Sequence, residues 1–250
     1  MTTQTTLYPN ETAEYRTARD RLLEAEIELR SAIEHVARMR RALPPGPVVS
    51  EDYVFSAAPR DPASDGPSKP VRLSELFADG RDDLILINYM YGPNDDGPCP
   101  MCTMWADGYD AIALYIEQRA GFALLAATGI ENLRRLARDR GWRNLRLLSS
   151  HGTTFNVDYH VETEDGGQIP GVMVFHRDPD GTIRLHHAAK MMMPEKFTPP
   201  AGEDPRGIDL YSPVWQLFDL LPGGRGDWYP SLANQPDWYE EAVRANQAMT

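Results

Sequence analysis

Asp83-Leu84-Ile85-Leu86-Ile87-Asn88-Tyr89-Met90, followed by Cys99-Pro100-Met101-Cys102-Thr103-Met104-Trp105, is the stretch on which the fold turns. The run from 83 to 90 is apolar and strand-like, and Thr103 to Arg119 carries helical periodicity. The two cysteines, the only ones in the chain, therefore stand at a strand-to-helix turn, with Cys99 near the start of the helix. Two thiols three residues apart, with no others to pair with, form either a local redox couple or half of a metal site. Backbone N–H groups at a helix N-terminus carry partial positive charge and stabilise a thiolate, which predisposes Cys99 to be a nucleophile. Cys102, one turn on and on nearly the same helix face, is placed to resolve the resulting adduct.

Upstream, Asn10 to Leu43 reads as one long helix. Its apolar or small residues fall at Tyr15, Ala18, Leu22, Ala25, Leu29, Ala32, Val36, Met39 and Leu43, alternately three and four apart. Such a helix extends about 45 Å, more than a domain of this size needs to cover its own core. Two roles are open, a helix lying across its own domain and a dimerisation arm giving a homodimer. Pro44-Pro45-Gly46-Pro47 ends it. Val48 to Ser56 reads as a strand, 57 to 70 as a polar loop, and 71 to 77 as a brief strand entering a helical turn.

Downstream of the cysteines come a second apolar strand at 122–128, a helix from Ile130 to Arg140 and a third strand at 145–148. Alternating strands and helices predict right-handed crossovers and a parallel sheet core. Gly171 to Arg177 and Thr182 to His187 flank the turn Asp178-Pro-Asp-Gly181 and predict an antiparallel hairpin that finishes the sheet. Ile208 to Leu221 supplies a last helix. The expected fold class is thus α/β, a three-layer α/β/α domain with a mixed central sheet over 48–222. A long N-terminal helix (1–47) precedes it, and an aromatic C-terminal extension (223–250) containing Trp228 and Tyr229 follows.

The formal net charge of −12, without a dense basic patch, argues against tracking nucleic-acid phosphates. No apolar run is long enough to span a bilayer, and the first residues resemble no signal peptide. The expected location is the cytoplasm. In that reducing compartment a close cysteine pair is catalytic, redox-sensing or metal-binding rather than a structural disulfide.

With these elements placed, the chain resembles the thioredoxin-like fold, in which a strand delivers a Cys-x-x-Cys motif to a helix N-terminus. In that superfamily a cis-proline opens the strand facing the thiols. The resemblance makes Pro170, in Gly167-Gln-Ile-Pro170-Gly-Val-Met-Val-Phe175, the candidate cis-proline. It also implies that the backbone of Ile169 pairs with an incoming peptide or thiol substrate. More narrowly, the chain resembles DUF899, a bacterial branch of thioredoxin-like proteins. The carriers are the long N-terminal helix, Asp52-Tyr-Val-Phe55, Cys99 to Gly108, Ser149-Ser-His-Gly-Thr-Thr-Phe-Asn156, Asp158-Tyr-His160 and Leu217 to Arg225. The branch implies fold and redox class but no substrate. Thioredoxin itself carries Trp-Cys-Gly-Pro-Cys, whereas here Pro98 precedes the pair and Pro100 lies inside it.

The resulting expectation is a thiol-disulfide oxidoreductase with Cys99 and Cys102 as the catalytic couple, acting without a cofactor on a thiol or disulfide substrate. Trp105 and Trp142 are candidates to cover the site, with Trp105 a substrate contact. Asp107, one turn beyond the motif, and His160 are candidate assisting groups. A thiol peroxidase of the peroxiredoxin type would want Thr three residues before the first cysteine, where Asp96 stands. A second alternative joins the two thiolates to one or two of His151, His160, His176, His186 and His187 to hold zinc or copper. Adjacent strand residues point to opposite faces, so at most one of His186 and His187 can serve. A third is a non-catalytic scaffold that uses the long helix and the aromatic C-terminal region.

Overall fold

The computed structural model describes residues 8–62, 64–190, 213–222 and 230. The expected tail at 223–250 lies outside them apart from Pro230, as does the start of the expected last helix. That helix is described as α5 (Pro213–Phe218). The chain divides into two compact units, Met1–Pro45 and Gly46–Thr250.

The first unit is essentially α1 (Ala13–Arg41). Thr12 caps its start, the side chain accepting from the Tyr15 N–H, and Arg38, Arg40 and Arg41 in the last turn suit the negative end of the helix dipole. None of its residues is buried. Within this unit nothing among the described residues covers its apolar stripe.

The second unit is built on a seven-stranded sheet. Its strands are β1 (Val54–Ala57), β2 (Lys69–Arg72), β3 (Asp83–Asn88), β4 (Gly121–Ala126), β5 (Leu147–Ser149), β6 (Gly171–Arg177) and β7 (Ile183–Lys190), in the order β2-β1-β5-β4-β3-β6-β7. β3, β4 and β5 are parallel, connected by α2 (Pro100–Glu117) and α3 (Ile130–Arg140), while β6 and β7 add antiparallel beyond β3. This is the expected thioredoxin-like arrangement, with the cysteine motif between β3 and α2. Only part of the 48–56 expectation is a sheet strand. β1 pairs with β2 as a hairpin and with β5 antiparallel, while Pro47 and Val49 hydrogen-bond along the β7 edge. A short helix that the sequence did not announce, α4 (Phe155–Asp158), follows β5.

Strand alternation divides the core into two layers. Ile87, Phe122, Leu124, Ala126 and Leu147 face α2 and α3 and pack with Met101, Cys102, Trp105 and Trp142. Leu84, Leu86, Ala123, Leu125 and Leu148 face the other way, onto Tyr53, Phe55, Phe155 and Phe175. β4 is buried along its whole length, as expected of a central parallel strand. Gly121 opens it because a Cβ there would stand 2.3 Å from the Leu76 carbonyl oxygen. Gly141, at φ +72°, closes α3 in the left-handed conformation that glycine adopts at least cost.

Candidate active site

β3 runs to the carboxyl edge of the sheet, and the chain returns from there to place Cys99 as the N-cap of α2. Pro100 follows at the first helical position, where the missing N–H costs nothing. Three contacts fix Cys99. Its N–H donates to the Met90 carbonyl (3.1 Å), and its own carbonyl accepts from the Thr103 N–H (3.0 Å) and Thr103 Oγ1 (2.8 Å). Thr103 Oγ1 also meets the Tyr89 hydroxyl at 2.6 Å, so the buried chain Tyr89–Thr103–Cys99 locks the first turn of α2 to the end of β3. Neither Tyr89 nor Thr103 was among the sequence candidates. A hydroxyl four residues after the first cysteine, able to bond back to its carbonyl, was the available signal.

Neither cysteine is in a disulfide, and the two differ in environment: Cys99 is half-buried and Cys102 is 3% exposed. A hydrogen bond to Cys99, burial and the charge of an ionised Cys99 all raise the Cys102 thiol well above its ordinary pKa. The Met90 backbone acts weakly in the other direction. A raised pKa means the proton stays. Cys102 therefore remains a thiol at neutral pH, and its S–H is oriented by the neighbouring sulfur.

The same sheet edge carries a buried polar network that the sequence reading passed over. Asn88, at the end of β3, donates from Nδ2 to the Ile169 carbonyl (2.7 Å). Asn156, on α4, accepts from Ser150 Oγ (2.7 Å) and donates to Gln168 Oε1 (2.7 Å), while Gln168 donates on to Glu162 (3.0 Å). Ser149 Oγ donates to the Thr128 carbonyl (2.6 Å). Asn88, Asn156, Gln168 and Ser150 are all buried, and each has a partner, as such groups must. Through them, β3, β5, α4 and the approach to β6 are tied together.

That network bears on Ile169 and Pro170. Asn88 pairs with Gly171 in the β3–β6 register, so Pro170 and Ile169 stand across from Tyr89 and Met90, the segment that holds Cys99. The expected cis bond is absent: there is no cis peptide among the described residues. Both pairing groups of Ile169 are engaged within the chain, its N–H by the Val161 carbonyl (2.9 Å) and its carbonyl by Asn88. A substrate carbonyl could accept from the Ile169 N–H only by displacing Val161, whereas the Ile169 carbonyl keeps a second lone pair.

Trp105 is 4% exposed and lies in the cluster that holds both cysteines; its indole N–H has no partner. Asp107 faces elsewhere. Its oxygens take Arg140 Nε (3.0 Å), Arg140 Nη2 and the indole N–H of the buried Trp142 (2.8 Å), clamping the end of α3 to α2. The carboxylate is thus committed to structure rather than to proton transfer at sulfur. Asp107→Asn is expected to lower stability by about 1–3 kcal/mol by weakening a charge-assisted clamp on a buried arginine. Cys99 alkylation should be unchanged, and denaturant titration with alkylation kinetics on one preparation checks both.

His160 is exposed just beyond α4, at φ +55°, where the chain turns. Its neighbour Asp158 fastens that turn, accepting from Tyr53 (2.8 Å) and Thr154 (2.5 Å). Among the described residues, no three His, Cys, Asp or Glu side chains converge as a metal site. His176 is bonded to Asp83 (2.8 Å), and a bulge leaves His186 without a place in the β6–β7 register, so strict alternation with His187 fails. No described helix is long and apolar enough to cross a membrane.

A family model described as "Bacterial protein of unknown function (DUF899)" matches residues 4–243. No curated protein matches. Similar solved structures include a PrxQ mutant from Xylella fastidiosa, at 11% identity and TM-score 0.44, covering 83% of this chain and 97% of that one. Others are the bacterioferritin comigratory protein of Xanthomonas campestris (13%, 0.43; 58% of this chain, 85% of that one) and a reduced 2-Cys peroxiredoxin of Plasmodium vivax (18%, 0.40; 58% and 85%). At these values the likenesses bear on neither activity nor mechanism.

Proposed function

This chain belongs to the DUF899 family, and from that premise we propose that it is a thiol-disulfide oxidoreductase whose working couple is Cys99 and Cys102. One observation carries the reading. A half-buried cysteine stands at the start of a helix, and one turn on is a buried cysteine whose pKa is raised by hydrogen bonding with the first and by burial, so that it keeps its proton. The helix N-terminus favours negative charge on Cys99, and the Cys102 S–H stabilises the same charge by donating to it.

The Cys99 thiolate attacks one sulfur of a substrate disulfide. A Cys99–substrate disulfide forms, the substrate's S–S bond breaks, and its second sulfur leaves as a thiolate. Negative charge is then gone from Cys99, so the Cys102 pKa falls and its proton passes to the departing thiolate or to water. The Cys102 sulfur attacks Cys99 Sγ, forming the Cys99–Cys102 disulfide and releasing the first substrate sulfur. Two electrons have moved from the pair to the substrate, and an external thiol or dithiol restores them. A disulfide is favoured over a peroxide as substrate because Asp96, not a hydroxyl residue, stands three positions before Cys99.

The reading is tested by the order of thiol reactivity. At pH 7, Cys99 is expected to alkylate at least about 100-fold faster than Cys102, and the Cys102 rate should rise only well above the ordinary thiol range. Mass-spectrometric assignment of iodoacetamide adducts over a pH series measures both. Equal rates at the two cysteines would remove the proposal.

A further inference from the structure

Among the described residues of its own unit nothing covers the apolar stripe of α1: Leu22 is 59% exposed, Leu29 60%, Val36 41% and Met39 58%. Most of a helix's stability in a protein comes from packing its apolar face, so a contiguous apolar stripe on α1 calls for a cover. We infer that the cover is α1 of a second copy of this chain, packed antiparallel as a two-stranded coiled coil.

Two independent properties of the helix choose that occupant and that direction. The first is side-chain size. In heptad terms Tyr15, Leu22, Leu29 and Val36 fall at one seam position, and Ala18, Ala25, Ala32 and Met39 at the other. Parallel pairing stacks like on like, so Leu22 would meet Leu22 and Ala25 would meet Ala25, leaving alternate layers too full and too empty. Antiparallel pairing sets one seam position against the other. Leu22 then meets Ala32 of the partner subunit, Leu29 meets Ala25 of the partner subunit, and Val36 meets Ala18 of the partner subunit. Each of these layers holds one large and one small side chain, the condition for even packing at close approach.

The second property is charge. Residues 13–28 carry five acidic groups against three arginines, a net of −2, whereas 29–41 carry four arginines against one glutamate, a net of +3. Parallel pairing would place the two Arg38-Arg40-Arg41 ends together. Antiparallel pairing sets each basic end against the partner's acidic half. Glu26 and Glu28, near the middle, approach their counterparts in either direction and do not discriminate. The same polarity also suits the helix's own dipole, so the orientation has to be measured.

The full-length chain is expected to run as a dimer by light scattering at tens of micromolar, and Leu29→Glu to raise its dissociation constant at least about 100-fold by placing a charge in the seam. Ile27→Glu, on the side of α1 away from the seam, should leave the dimer intact. For direction, Thr17→Cys in a Cys99→Ser/Cys102→Ser background carries one nitroxide per chain. Antiparallel pairing separates the two labels by about 30 Å along the helix axis, and parallel pairing by about 10 Å. A monomer, a dimer indifferent to Leu29→Glu, equal disruption by Ile27→Glu, or a short label distance would each overturn the inference.

Discussion

Cys102→Ser should turn the protein from a catalyst into a trap. Without the resolving thiol, the Cys99–substrate disulfide has no intramolecular exit, so a reducible disulfide-bearing substrate should remain covalently attached. Turnover should fall by at least about 1,000-fold, because resolution then depends on dilute external thiol rather than on a sulfur held one helical turn away. Cys99→Ser should abolish both turnover and trapping. The pair is asymmetric by construction: Cys99 is half-buried at a helix start, and Cys102 is buried with its proton retained. Non-reducing electrophoresis and mass spectrometry after exposure to a small aromatic disulfide would read the difference. Trapping by Cys99→Ser and not by Cys102→Ser would reverse the assigned roles.

The second large effect concerns stability. Asn156→Leu removes the amide that joins Ser150, Gln168 and Asn88 at the carboxyl edge of the sheet. It strands the Gln168 and Asn88 carbonyl oxygens where water does not reach, and leaves the Ser150 hydroxyl only its longer bond to the Ala126 carbonyl (3.2 Å). Each buried group left without a partner costs about 1–3 kcal/mol, so the substitution is expected to cost about 3–5 kcal/mol, a large part of the total stability of a domain this size. Asp165→Asn, on the exposed loop nearby, is expected to leave the urea midpoint close to that of the parent. Urea denaturation of the three proteins decides it. A near-neutral Asn156→Leu would mean that the network contributes little to folding. Because the same amides hold Ile169, a destabilised but folded variant should also expose the Val161–Ile169 segment to faster hydrogen exchange.

Much of the fold could be read from local pattern. The apolar run at 83–90, the helical period after Cys99 and the Asp178–Gly181 turn each report on neighbours a few residues away, and each appears in the structure as β3, α2 and the β6–β7 connection. The α4 helix was not legible, because four residues carry no period. The division of 48–56 was not legible either, since β1 is defined by pairing with β2 and β5 rather than by its own composition.

The candidate site divides along the same line. The spacing of Cys99 and Cys102, together with the strand before and the helix after, fixed by sequence alone where the thiols would stand, since the i, i+3 geometry of a helix start is local. The surroundings of Asp107 and Ile169 were decided by groups elsewhere along the chain, and those of His160 by a local turn. Arg140 and Trp142 claim the first, Asn88 and Val161 the second, and for the third the backbone turn beyond α4 sets its exposed position. A side chain's chemical type says what it can bond. Only the tertiary structure says which partner reaches it first, and a donor hydrogen committed to one buried partner is no longer free for another.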